Sequence, residues 1–354
     1  MEGLRFATHQ TKHTCRGFLI RRQNDRRSLR HGGFLNPKKS YLILVQFICV
    51  RELVWQSPGM KIFPWLFLFI CCFGSRSHAA ELKVVSLHPL ISDLLRQVGG
   101  EKVEVVDLIG RNGDPHSFEP QSKDLGAAEG VEIYFVSGMG LENYLPKLKA
   151  VLGDKARIVE VGATLPALHG ACDHGAEESH EGHAHELDPH WWHSVDHFRR
   201  AVGVVSDELG AASPSNGEYF STNARAYRSE LDDLEKWIRR ELVGIPKDRR
   251  QLATAHAAFQ YFCKAYGFQS LSLQGLNREQ MPDAVKLASL IAEIKREKIP
   301  AIFPERESNP KMLQSLTKDA GIRLGGTLIA DGRGMDSYIW MMRENVTVIV
   351  EALR

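Results

Sequence analysis

The chain has 354 residues, 43% hydrophobic and 25% charged, the balance of a soluble globular protein long enough for two ordinary domains. Its net charge of +2 conceals an asymmetry: residues 1–59 carry 11 Lys/Arg against 3 Asp/Glu, whereas residues 81–354 hold 32 basic and 40 acidic side chains. A mildly acidic body argues against nucleic acid as a partner and suits a protein that handles cations.

Residues 1–59 are basic, have no clear helix or strand period, and fit nothing downstream. Met60 opens an export signal: Lys61 is its charged start, Ile62 to Phe73 its apolar run, and Ser75 to Ala80 a small-residue cleavage zone. About a dozen apolar residues fall short of the ~20 that span a bilayer. The expectation is therefore a start at Met60, with 1–59 an extension and 60–80 a signal peptide. Ile70 is too large for a lipid-attachment box before Cys71 or Cys72, so a free periplasmic protein is expected. Cys172 and Cys263 are the cysteines beyond the signal. Two cysteines do not make a disulfide framework, and Cys263 lies in a helical pattern suited to buried packing.

From residue 82 the pattern alternates. Strands are predicted at 82–87, 103–109, 131–136 and 157–161, with helices at 89–98, 122–128 and 141–152 between them. Such βαβα alternation implies a parallel sheet flanked by helices. After residue 187 come a helix over 195–209 and a long one over 215–242, about 40 Å at 1.5 Å per residue. Ser215 with Glu218 reads as its capping box. The βα pattern then restarts, with strands at 251–255, 270–273, 300–304 and 323–329 and helices at 257–266, 283–297, 310–320 and 335–353. The expected fold is α/β: two lobes, each with a parallel sheet flanked by helices, joined by one long rigid helix. The expected division is an N-terminal lobe over 81–194 including a His-rich loop at 169–187, a helical segment over 195–246, and a C-terminal lobe over 247–354. In open α/β sheets ligands bind beyond the carboxyl ends of the strands, which here puts a site in the interlobe cleft.

Eight of fifteen histidines fall between His169 and His197. That stretch has no apolar period, and His169, His174, His180, His183 and His185 read as an accessory metal-collecting loop. Four further residues stand in turns or just past predicted strands: His116, His190, His256 and Asp331. His116 and His190 both sit in Asp-Pro-His triplets. Proline fixes its own φ and keeps the preceding Asp extended, so that Asp can cap nearby N–H groups and stiffen the turn. Three imidazoles and one carboxylate make an N3O set suited to zinc. Singly, each has a plainer reading: a cap, a surface group, or, for Asp331-Gly332, a turn. His88 reads as a group beside a helix-opening proline, and His193 with His197 as a surface pair or further metal scavengers.

Taken together these residues resemble the periplasmic metal-binding proteins of bacterial ABC importers, the zinc and manganese cluster. Gly113 to Pro120 is similar to that family's first-ligand motif, and Asp188 to His193 to its second. His256 to Phe262 with Tyr266-Gly267 is similar to its third. Asp331 with Tyr338, Met341-Met342-Arg343 and Asn345 resembles its last ligand and closing helix. The resemblance implies a metal site in the cleft and delivery of Zn2+, as transported ligand, to an ABC permease in the inner membrane. His256 and the His-rich loop point to the zinc branch, since the manganese branch carries Glu at the third position. The expected protein is a periplasmic monomer without enzymatic activity. Two alternatives stay open. One is a manganese or iron receptor on the same scaffold. The other is a zinc hydrolase with Glu119 as general base, disfavoured because the chain has no HExxH helix.

Overall fold

The computed structural model describes residues 80–170, 187–276, 283–306 and 310–354. Leu82–Ser86 (β1) leads into Pro89–Gly99 (α1), where Pro at the first turn suits a helix start and His88 caps it, Nδ1 accepting from the Leu90 N–H at 3.1 Å. Val103–Asp107 (β2), Ser122–Ala127 (α2), Ile133–Val136 (β3), Leu145–Leu152 (α3) and Arg157–Glu160 (β4) follow. The strands pair in parallel in the order β2-β1-β3-β4. A second parallel sheet, in the order β6-β5-β7-β8, is built from Gln251–Thr254 (β5), Gln269–Ser272 (β6), Ala301–Phe303 (β7) and Arg323–Leu324 (β8). In each sheet the strand order reverses beside its first strand, and β1 and β5 stand at those switch points. The residues following them therefore open into the crevices where α/β sheets take ligands.

Val195–Ala212 (α4) and Gly217–Leu242 (α5) carry the connection between the lobes. At about 1.5 Å per residue α5 is close to 40 Å long. Its buried stripe of Phe220, Ala224, Tyr227, Leu231, Leu234, Ile238 and Leu242 has helical spacing. Those side chains share one apolar cluster with β1 and α1 of the first lobe and with Gln260–Tyr266 (α6) and the last helix of the second. A spine packed into both lobes along one continuous core resists a wide hinge. Ala284–Arg296 (α7) and Pro310–Ala320 (α8) complete the second lobe, and Tyr338–Leu353 (α9) packs back on α5. No helix among the described residues is long and apolar enough to cross a membrane.

Three local departures from the expected elements have physical causes. The capping box of Ser215 with Glu218 does not form. Pro214 begins a 3-10 turn, Asn216 becomes the α5 cap position, and Glu218 pairs with Arg225 at 3.0 Å. Asn216 instead donates to Glu81 at 2.7 Å. The helix expected from Leu141 starts at Leu145, because Pro146 has no N–H to give a preceding turn and so belongs in a helix's first turn. The strand expected over 323–329 stops at Leu324. A Cβ at Gly325 would lie 2.6 Å from the Phe303 ring, so the chain passes too close beneath β7 to continue a ladder of side chains. It meets the sheet end again only at the bridge between Glu305 and Leu328.

Candidate metal centre

The turn carrying His116 follows β2. A Cβ at Gly113 would lie 2.3 Å from the Ile109 carbonyl oxygen, so only glycine fits that approach. Asp114 Oδ1 then accepts from the His116 N–H at 3.0 Å, and Asp188 Oδ1 accepts from the His190 N–H at 2.9 Å. Both Asp-Pro-His triplets thus form the same Asp-capped turn. His190 begins a 3-10 turn over Trp191–His193, with both tryptophans buried. Trp191 donates to Ser137 Oγ at 3.0 Å and Trp192 to the Ala330 carbonyl at 2.7 Å, so the second and fourth candidate turns are joined by an indole N–H. His256 stands past β5 and Asp331 past Ala330. Asn345 on α9 fixes the approach to Asp331 by accepting from the Ile329 N–H and donating to its carbonyl, both at 2.8 Å.

These four turns bring His116, His190, His256 and Asp331 together, with one potential ligand atom from each lying within 4.8 Å of all the others. The Nε2 atoms of His116 and His190 are 3.3 Å apart, as are those of His190 and His256. Asp331 Oδ1 lies 3.4 Å from His116 Nε2 and 3.7 Å from His190 Nε2. A tetrahedron with metal–ligand bonds of about 2.0–2.1 Å has edges of about 3.3–3.4 Å. His190, His256 and Asp331 are buried, whereas the His116 side chain keeps 11% of its exposure, so the cluster meets solvent on the His116 side.

The partners behind the rings fix their tautomers. Asp188 Oδ1 lies 2.8 Å from His190 Nδ1, and Glu305 Oε2 contacts His256 Nδ1. A carboxylate facing Nδ1 places the ring proton there and leaves the lone pair on Nε2. The Nε2 atoms of His190 and His256 therefore direct two lone pairs at each other across 3.3 Å, an arrangement that a cation between them stabilises. Burial pushes the Asp188 carboxyl up to about 7, and the His190 backbone N–H opposes that rise.

The remaining candidates fall elsewhere. His193 is not part of a surface pair: it is fully buried against Phe259, with ring centroids 4.2 Å apart, and burial lowers its pKa to about 3. His197 is held apart from it, with Nδ1 2.9 Å from Ser194 Oγ and Nε2 2.9 Å from the Pro166 carbonyl. His88 caps α1, lies 4.7 Å from the Trp192 ring, and is likewise driven to about 3 by burial. Glu119, the general base of the hydrolase alternative, pairs instead with Lys147 at the surface at 2.8 Å. His169 is exposed and bridges to Leu187, while His174, His180, His183, His185 and Cys172 lie outside the described residues. Cys263 is buried, and burial pushes its thiol up to about 12. Glu305 was not singled out from the sequence. The signal that could have found it is its place one residue beyond Pro304, at the carboxyl end of a central strand.

Two α/β lobes on a shared helical spine, closing on buried imidazoles and one carboxylate, define a two-lobed metal receptor. The chain belongs to the family described as Zinc-uptake complex component A periplasmic, whose model matches residues 84–352. It is 30% identical over 285 residues to the manganese-binding lipoprotein MntA of Halalkalibacterium halodurans, covering 79% of this chain and 91% of that protein. It is also 30% identical over 297 residues to the zinc-binding protein TroA of Treponema pallidum, covering 80% and 94%. The solved structure of the periplasmic zinc-binding protein TroA from Treponema pallidum superposes with a TM-score of 0.68 at 28% identity, over 77% of this chain and 99% of that one.

Proposed function

We propose that this protein captures one zinc ion outside the cytoplasm and hands it to an ABC permease of the inner membrane, acting as a carrier without catalytic turnover. His116, His190, His256 and Asp331 hold the ion. The convergence of one ligand atom from each of these four residues, all within 4.8 Å of one another, is the observation that carries this reading. Four protein ligands can complete a closed tetrahedral site, which leaves no coordination position for a reactive water. Cargo enters on the His116 side, the least buried of the four. Asp188 and Glu305, each set behind an imidazole, keep the lone pairs directed inward while the ion exchanges. The packing of α5 into both lobes supports release by a tilt of one lobe against the other.

Relatives named for manganese and for zinc share this similarity. Three nitrogen donors favour zinc over manganese, which prefers oxygen-rich sets. The domain division at residues 194 and 246, a monomeric state, and a free form not attached to lipid complete the proposal. The test is metal analysis with chelator competition on the purified chain. One tight zinc is expected, lost in His116→Ala and His256→Ala and kept after deletion of residues 170–186, with no hydrolysis of esters or peptides. Tighter manganese than zinc would favour the manganese reading, and retention of zinc by both alanine variants would overturn the site.

A further inference from the structure

The loop that carries Asp331 is tied to both lobes. Gly332 packs against α1 so closely that a Cβ there would lie 2.9 Å from Leu90 Cγ. The Gly334 N–H donates to the Arg111 carbonyl at 2.8 Å, and Arg111 Nη2 donates back to the Gly334 carbonyl at 3.3 Å. The Arg111 guanidinium also pairs with Asp336. On the other side Arg306, from the second lobe, donates to the Arg333 carbonyl at 3.0 Å. The strap ends at Tyr338, whose N–H donates to Asp93 Oδ2 on α1 at 2.8 Å.

Arg111 precedes His116 on one loop, and Gly334 follows Asp331 on the other. The same two loops are therefore joined twice: once through the His116 Nε2 to Asp331 Oδ1 approach of 3.4 Å, and once through Arg111. His116 and Asp331 cannot separate far while the second tie holds. We infer that Arg111 is a positioning residue which, through its clasp on Gly334 and Asp336, keeps Asp331 in reach of the ion and sets how long the ion stays bound. This inference rests on the proposed capture of zinc. The ion pair alone is exposed and weak; the added hydrogen bond to the Gly334 carbonyl gives the clasp direction.

The experiment is stopped-flow release of zinc from the loaded full chain into excess chromogenic chelator, with melting curves of the metal-free forms. Arg111→Ala should bind one zinc and release it about tenfold faster than the parent, and Asp336→Asn, which loses only the exposed ion pair, about two- to threefold faster. The double variant should be no faster than Arg111→Ala, and Arg111→Lys, which keeps the charge, should recover part of the loss. Metal-free melting temperatures should stay close to that of the parent. Release at the parent rate from Arg111→Ala and Asp336→Asn overturns the inference. So does an equal fall in the melting temperatures of metal-free and loaded Arg111→Ala, the mark of a merely structural role. If the parent itself holds no zinc, the proposed function fails and the clasp with it, a result distinct from either.

Discussion

Glu305 grips His256 at two points: Oε1 accepts from the His256 backbone N–H at 3.0 Å, and Oε2 contacts the ring at Nδ1. One buried carboxylate thus sets both the position of the chain and the direction of the lone pair. Glu305→Gln keeps an acceptor for the backbone but removes the charge that favours Nδ1–H. Zinc affinity should fall about 10- to 100-fold with the fold retained, as measured by competition with a chelator of known affinity. An unchanged affinity would mean that another group fixes the tautomer.

Asp188 holds His190 through one oxygen: Oδ1 lies 2.9 Å from its backbone N and 2.8 Å from Nδ1. Asp188→Asn retains the turn acceptor, yet its amide cannot supply the charge opposite the ring. A loss of zinc affinity comparable to that of Glu305→Gln is expected, with the far-ultraviolet spectrum of the parent. A collapsed spectrum would assign Asp188 to folding alone.

Much of this site is legible in the chain because its chemistry is local. An Asp two residues before a His, with Pro between, specifies the turn that Asp114 and Asp188 form, whatever the tertiary fold. His256 follows from a strand end, whereas the strand expected to lead to Asp331 stops at Leu324, seven residues before it. Glu305 carries only the weak signal of a strand end, and its partner cannot be read locally: it reaches His256 because β7 pairs directly with β5. Arg111 is an exposed arginine whose partner lies more than 200 positions away. The four-residue spacing of His193 and His197 implies a shared helical surface, whereas His193 belongs to a 3-10 turn pressed onto Phe259 from the other lobe. Pairing between distant segments cannot be read from spacing within one.

Away from the cluster, Glu142 accepts from the N–H groups of Ser137 at 2.7 Å and Gly138 at 3.0 Å, holding the positive-φ turn that precedes α3. Burial raises its pKa from 4.5 to about 7, with Glu160 adding to the rise. The native state then keeps a proton that the unfolded chain has lost. Its contribution is present below about 4.5 and disappears as the pH rises through 7. Urea unfolding of the metal-free protein should show stability declining across that window by up to about 3 kcal/mol relative to Glu142→Gln. Parallel pH profiles for the two proteins would contradict this.

Removing zinc should lower the melting temperature, because the ion binds the folded chain and not the unfolded one. At free zinc 100 times the dissociation constant the bound ion adds about 2.7 kcal/mol. For a body of this size that corresponds to a shift of roughly 5 °C, read by differential scanning calorimetry before and after chelation. The increment also has a pH dependence with a definite sign. Asp188 in the metal-free protein titrates near 7, and its ionised form is the one that supports the Nδ1–H of His190. Below that value the arriving ion must expel a proton, so affinity falls about tenfold per pH unit for each proton released. The zinc-induced shift should therefore be largest near pH 8 and contract towards pH 6. A shift independent of pH at fixed free zinc would show that capture is not coupled to the Asp188 proton.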